Sequence, residues 1–215
     1  MDEKRDLARE LARQHYDAGD PLGWFDALYK QANGDFDTIP WADRAVNPHL
    51  AAWCERESLP RPGTSVVVIG CGLGDDAEYL AARGAVVTAF DLSETAIQWC
   101  RDRFPQSAVS YKVANLLEFI GDFDLAVEIY TLQAMPPALR AQAIEAAGNL
   151  ARDLLIICRG RDETDPPGEL PWPLTRTDLQ PLTGLGLKIE SFEDFDDPFD
   201  PGKRRFRVYC RRLFK

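Results

Sequence analysis

The residues Gly70-Cys71-Gly72-Leu73-Gly74, followed at once by Asp75 and Asp76, are the stretch best suited to hold a ligand. A run nearly bare of side chains lets a ligand approach backbone N–H groups closely. A dinucleotide-binding turn has the spacing G-x-G-x-x-G, so that a diphosphate rests on a helix N-terminus; here the third glycine comes one residue early and acids follow it. Two carboxylates at that point repel a diphosphate and favour a cation, such as a ligand carrying ammonium and sulfonium groups. The plainer alternative is a tight strand-to-helix turn with Asp75 as its N-cap. About 20 residues further on, Phe90-Asp91-Leu92 offers a carboxylate that can accept both hydroxyls of a ribose. Taken alone, Asp91 reads as a loop acid beside the next helix.

The elements needed to position these residues follow from the hydropathy rhythm. Val66-Val67-Val68-Ile69 is apolar throughout, as a strand covered on both faces should be. The pattern predicts a helix over Asp75 to Arg83 with Gly84 at its end, a strand over Val86 to Phe90, and a helix capped by Ser93 that carries Ala96, Ile97 and Cys100. Further strands are expected over Ala108 to Val113, Leu125 to Tyr130 and Leu154 to Cys158, with a helix opening at Pro136-Pro137 and running to about Leu150. This alternation is the signature of a parallel sheet. At the end, Leu187 to Phe192 and Phe206 to Leu213 read as strands, and the alternation of Phe206, Val208 and Cys210 with Arg205, Arg207, Tyr209 and Arg211 predicts an antiparallel strand with one exposed face. Upstream, Leu7, Ala8, Leu11, Ala12 and His15 mark an amphipathic helix from Asp2 to about Ala18. An aromatic-rich stretch to Trp41 then reads as a docked cap, and Asn47-Pro48 starts a helix that ends near Glu57.

With its glycine turn and the acid closing its second strand, the chain resembles the class I S-adenosylmethionine-dependent methyltransferases over about Thr64 to Arg212. That resemblance implies an α/β, Rossmann-like three-layer sandwich around a seven-stranded, mostly parallel sheet of order 3-2-1-4-5-7-6, strand 7 antiparallel. It implies one methyltransferase domain over residues 1–215, with 1–58 as a helical cap and 64–215 as the core. The cofactor implied is S-adenosyl-L-methionine, released as S-adenosyl-L-homocysteine. Gly70, Cys71, Gly72 and Gly74 become the bed for the methionyl part, and Asp91 with Leu92 the ribose contact. Asp76 is either a partner of the methionyl ammonium or a first-turn acid favoured by the helix dipole. Asn115 and Leu116 stand where the family contacts adenine; asparagine replaces the usual aspartate there, so it accepts without charge assistance, or it simply caps a helix. Ile129 joins the cofactor contacts.

The segments Pro21-Leu22-Gly23-Trp24-Phe25, Ile39-Pro40-Trp41-Ala42-Asp43 and Asn47-Pro48-His49-Leu50 look like the aromatic cap of the thiopurine and thiol methyltransferase branch. Trp41 then packs on the cofactor and Trp24 on the acceptor, or both only anchor the cap. Tyr130 and Gln133, beyond the fourth strand, and Arg161 and Trp172, beyond the fifth, lie at the carboxyl edge where open α/β sheets bind ligands, and are candidate acceptor contacts.

Methyl transfer from a sulfonium needs alignment and exclusion of water more than a covalent enzyme group. No catalytic residue is assigned. If a hydroxyl acceptor requires a base, Asp43, Glu128 and Tyr130 are the available carboxylates and phenol. His15 and His49 are the only histidines, so no metal site is expected. With 25 Lys and Arg against 35 Asp and Glu the net charge is −10, which disfavours nucleic acid and anionic lipid as partners. The basic run Lys203-Arg204-Arg205 faces Glu193, Asp194 and Asp197 across a hairpin, which predicts local charge compensation. Five cysteines without a CxxC pair read as buried thiols of a reducing compartment, and no signal or membrane segment is apparent, so a cytoplasmic protein is expected. The expectation is an enzyme that methylates sulfur, nitrogen or oxygen of a small molecule, as a monomer or homodimer. The rivals are a silent adenosylmethionine-binding partner protein and a nicotinamide oxidoreductase.

Overall fold

A computed structural model of the chain describes residues 2–213, so the outermost positions of the expected 1–215 domain lie outside the described residues. Seven strands form one sheet: β1 (Ser65–Ile69), β2 (Val86–Asp91), β3 (Ser110–Val113), β4 (Phe123–Ile129), β5 (Ala151–Arg159), β6 (Leu187–Asp196) and β7 (Arg204–Arg212). Their order is β3-β2-β1-β4-β5-β7-β6, with β7 antiparallel to both β5 and β6 and the other pairings parallel. The helices are α1 (Asp2–Asp17), α2 (Trp24–Ala32), α3 (Pro48–Glu57), α4 (Asp75–Ala82), α5 (Glu94–Arg103), α6 (Pro137–Asn149) and α7 (Pro181–Gly184). α2 and α7 are additions to the elements read from the sequence, and β4, β5 and β7 begin two or three residues earlier than expected.

The unbroken apolar runs follow from burial on both faces. Val67 and Ile69 of β1 point to one core with Ala126, Ile156 and Ile144 of α6; Val66 and Val68 point to the other with Leu50 and Trp53 of α3, Leu80 of α4 and Ile97 of α5. Fully buried side chains of this size each stabilise the fold by about 1.5–3 kcal/mol. A third cluster joins Ala8 and Ala12 of α1 and Trp24, Leu28 and Tyr29 of α2 to Leu73 and Leu170, which docks the N-terminal segment over one end of the sheet.

β7 departs from the expected one exposed face. Arg205, Arg207 and Tyr209 are buried along with Phe206 and Val208. The reason is that α3 covers the second face and β6 supplies a cross-strand partner: Arg207 forks onto Glu193 at 2.9 and 2.5 Å and donates to the His49 carbonyl at 3.0 Å, while Tyr209 packs on Trp53. The expected charge compensation across this hairpin is present, with Arg204 on Asp194 at 2.6 Å and Arg205 on Asp197 at 2.7 Å. Because β1, β2, β4 and β5 are parallel, their carboxyl ends meet along one edge, and the cap lies over that edge.

Candidate functional site

A cavity of about 530 Å³ opens along this edge, floored by the strand ends and walled by the cap. Its first corner is the turn after β1. Gly70 has φ +60, and a Cβ there would run into the Thr131 side chain; both conditions demand glycine. Gly72 lines the cavity beneath Tyr29 and Trp41. Gly74 does not line it. Its φ of +87 starts α4, and its missing side chain makes room for the Tyr111 hydroxyl, 2.6 Å from where a Cβ would stand. Its role in this structure is to seat the helix rather than to bed a ligand.

Asp91, at the end of β2, is buried and accepts from Gly72 N and Ser93 N, both at 2.9 Å. Burial raises its pKa, and the backbone donors oppose the rise. Each oxygen keeps a lone pair for a further donor. Asp76, in the first turn of α4, accepts from Asn47 N at 2.7 Å through one oxygen. Burial pushes its pKa up to about 6, and the nearby Asp75 and Asp43 charges add to the rise. Asp75 is not an N-cap: its carboxylate pairs with Arg103 at 2.9 and 2.8 Å. Asn115 lines the cavity, and its Oδ1 accepts from Leu117 N at 3.0 Å, a local turn bond that leaves its amide N–H groups and a lone pair available. Cys71, Leu92, Leu116 and Ile129 also line the wall.

The cap supplies an aromatic roof. Trp24 and Trp41 meet edge to face at 6.1 Å, Trp41 Nε1 donates to the Tyr29 hydroxyl at 2.8 Å, and Trp24 stacks on Phe25. Asp26 of α2 pins this roof to the start of α5, accepting from Ser93 Oγ at 2.6 Å and Thr95 N at 3.2 Å. Burial works against its ionisation, but the bonds from Lys30, Ser93 and Thr95 outweigh it and hold the pKa at about 2.

Of the expected acceptor contacts, Trp24, Tyr130 and Gln133 line the cavity. Tyr130 holds φ +65, a left-handed conformation that costs a non-glycine residue roughly 1 kcal/mol or more. Gln133 Oε1 accepts from Arg159 N at 2.6 Å, so its carbonyl fixes the end of β5. Arg161 and Trp172 are not brought to the cavity. Arg161 turns back to the carbonyls of Asp162, Asp165 and Pro173, and Trp172 stacks on Tyr16 of α1, half-buried against the cap cluster. Glu128 is wholly buried outside the cavity. Its Oε1 accepts from Thr131 N and Leu132 N, and burial raises its pKa to about 7. Asp43 does line the cavity. The wall also contains Arg5, Arg159, Asp197, Asp200 and Arg205, none of which the sequence singled out as ligand contacts.

A strand order of 3-2-1-4-5-7-6 with a glycine turn after β1 and an acid closing β2 defines the class I adenosylmethionine-dependent methyltransferase fold. Residues 66–153 match the methyltransferase domain family. Over 186 residues the chain is 27% identical to the "Probable thiopurine S-methyltransferase" of Yarrowia lipolytica, covering 74% of this chain and 85% of that one. Over 113 residues it is 34% identical to the ubiquinone biosynthesis O-methyltransferase of Aromatoleum aromaticum, covering 50% of this chain and 47% of that protein, so it spans about half the length of that relative. Among solved structures it is similar to the 1,6-didemethyltoxoflavin N1-methyltransferase of Burkholderia thailandensis, with a TM-score of 0.68, 20% identity, and 93% and 90% of the two chains covered. The magnesium protoporphyrin IX methyltransferase of Synechocystis, with bound S-adenosylhomocysteine, gives a TM-score of 0.64 at 19% identity, covering 76% and 80%. These matches give the chain a methyltransferase domain over residues 66–153 within the class I fold, a fold whose neighbours here were crystallised with S-adenosylhomocysteine. No helix among the described residues is long and apolar enough to cross a membrane.

Proposed function

We propose that this chain, as a single unit of cap and core, methylates a sulfur, nitrogen or oxygen atom of a small molecule. The observation that carries this reading is the shape of the cavity: one void of about 530 Å³, within the range of small-molecule sites, runs from Asp91 past the Gly70–Gly72 turn to Tyr130 under an aromatic roof. The cofactor fits the residues at its acidic end, where a glycine-lined corner, a carboxylate with free lone pairs and a recessed second carboxylate stand together. Asp91 would take the ribose hydroxyls, Asp76 the methionyl ammonium, and Asn115, Leu92 and Leu116 the adenine. Gly70, Cys71, Gly72 and Ile129 would line the methionyl path.

When bound, S-adenosylmethionine supplies an electrophilic methyl group on a sulfonium, which an acceptor takes by in-line displacement. The chain's own work is alignment and drying. Trp24, Phe25 and Trp41 shut water out and offer aromatic faces to a cation. Tyr130, fixed in its constrained backbone conformation, and the buried end of β4 hold the acceptor side rigid. An ionised thiol or a free amine needs nothing more. A hydroxyl acceptor would lose its proton to a cavity-lining carboxylate such as Asp43, whereas burial raises the Tyr130 pKa and keeps it a protonated phenol that can donate a hydrogen bond but not take a proton. Calorimetry with adenosylmethionine, followed by methyl release across thiols, amines and phenols, tests the proposal. Micromolar binding with turnover of one class is expected, and binding with no product from any class overturns the catalytic reading in favour of a silent binding protein.

A further inference from the structure

The cavity is electrically divided. Asp76, Asp91 and Asp43 gather at the end next to β2 and α4, while Arg5, Arg159 and Arg205 gather at the end formed by β5, β7 and the hairpin loop between β6 and β7. β5 is three strands from β2, so the basic end lies roughly 14 Å from Asp91 along the sheet, on the acceptor side of the cavity.

The charges at the basic end do not cancel. Asp197 is committed to Arg205 at 2.7 Å, to His49 Nε2 at 3.2 Å and to Phe199 N at 2.9 Å. Asp200 sits between Arg205 at 3.4 Å and Arg5 at 3.9 Å. Burial keeps the His49 pKa below its usual value and so favours the neutral ring. Three guanidinium groups thus meet two carboxylates, and the group left over is Arg159. It is half-buried at the last position of β5, opposite Arg205 in the antiparallel register, and its side chain has no hydrogen bond or salt bridge among the described residues. Burial, with Arg5 and Arg205 nearby, lowers its pKa to about 10 against the weaker pull of Asp200, whose carboxylate is not within ion-pair distance. A partly desolvated cation with no counter-ion in contact is costly unless a ligand brings the missing charge. Apolar and aromatic side chains line the cavity as well, among them Phe199, Leu170, Pro171 and Tyr130, and the Arg205 guanidinium lies 5.0 Å over the Tyr130 ring.

We propose that the methyl acceptor is a small aromatic or heteroaromatic monoanion, and that its carboxylate is held by Arg159. A planar guanidinium matches a carboxylate in two parallel hydrogen bonds, and a single uncompensated charge suits a monoanion better than a phosphate dianion. The inference rests on reading the opposite end of the cavity as the cofactor side.

The test is binding, with no turnover required. Benzoate, phenylacetate and nicotinate are titrated by calorimetry into the protein saturated with S-adenosylhomocysteine, each beside its amide, with phenyl phosphate as the dianion. At least one carboxylate should bind about tenfold to a hundredfold more tightly than its amide. Arg159→Met should erase that difference and leave the affinity for S-adenosylhomocysteine unchanged, which also shows that the variant is folded; Arg159→Lys should restore part of it. The proposal is overturned if no carboxylate of the panel outbinds its amide, if the preference survives Arg159→Met, or if phenyl phosphate binds more tightly than every carboxylate. Failure of S-adenosylhomocysteine itself to bind strikes instead at the cofactor assignment on which the proposal rests.

Discussion

Asp91 and Asp76 carry opposite lessons although both are acids beside the glycine turn. Asp91 is already tied to two backbone N–H groups, so its geometry is fixed before any ribose arrives. Replacing it with alanine removes one or two hydrogen bonds to a charged acceptor, each worth roughly 1.5–3 kcal/mol. The expected result is an S-adenosylhomocysteine Kd at least tenfold weaker, read by calorimetry. Asp76 should instead make cofactor binding depend on pH. A cation favours the ionised form, and with a pKa near 6 that form dominates above neutrality. Affinity for adenosylmethionine should therefore be flat above about pH 7 and fall as the pH drops through 6, by up to about tenfold per unit for one linked proton. In Asp76→Asn the profile should be flat. The sequence exposed these two residues because the glycine turn and the acid about 20 residues later are local patterns. It hid Arg159, because what distinguishes that arginine is the lack of a partner, a property of three-dimensional neighbours. Arg161, two positions further along, was the visible choice and curls back on its own loop.

At the scale of elements, strands and helices announced by a single rhythm were legible and those needing a tertiary cover were not. β1, β2 and α5 follow from apolar runs and a serine cap. α2 is short and begins just after Pro21 and Gly23; Trp24, Leu28 and Ala32 do recur at helical spacing, but over only nine residues set among turn-forming glycine and proline, so the segment reads only as an aromatic cap. β7 showed its alternation truly, yet both faces are buried, since Glu193 and the α3 carbonyl of His49 supply the partners that let arginine go inside. Breaking such a pair strands a partly buried charge. Arg207→Met should lower unfolding stability by about 2 kcal/mol, discounted because Glu193 is 30% exposed, and urea denaturation will measure it. Gly74→Ala should also destabilise, by about 1–2 kcal/mol, from its φ of +87 and the Tyr111 hydroxyl behind it, while cofactor affinity changes little because the residue lies off the cavity.

At the scale of the whole molecule, Glu128 is a buried acid outside the cavity that makes folding stability depend on pH. Glu128 has a folded pKa near 7 against an ordinary 4.5, so between those values the folded state binds more protons than the unfolded chain. Stability from this group is greatest below pH 4.5 and is lost as the pH rises through 7, by up to roughly 3 kcal/mol. Glu128→Gln keeps an acceptor for Thr131 N and Leu132 N, so thermal denaturation should show it gaining on the parent as the pH is raised from 5 to 8. The same molecule-wide view gives the aromatic roof a practical meaning. Trp24 and Trp41 border the cavity, whereas Trp53 is sealed in the core and Trp99 and Trp172 are half-buried against the cap cluster, off the cavity lining. Two indoles therefore watch the chamber and three stand apart from it, so the protein's own ultraviolet emission should quench or shift in colour when a nucleoside or an acceptor enters, with no label attached.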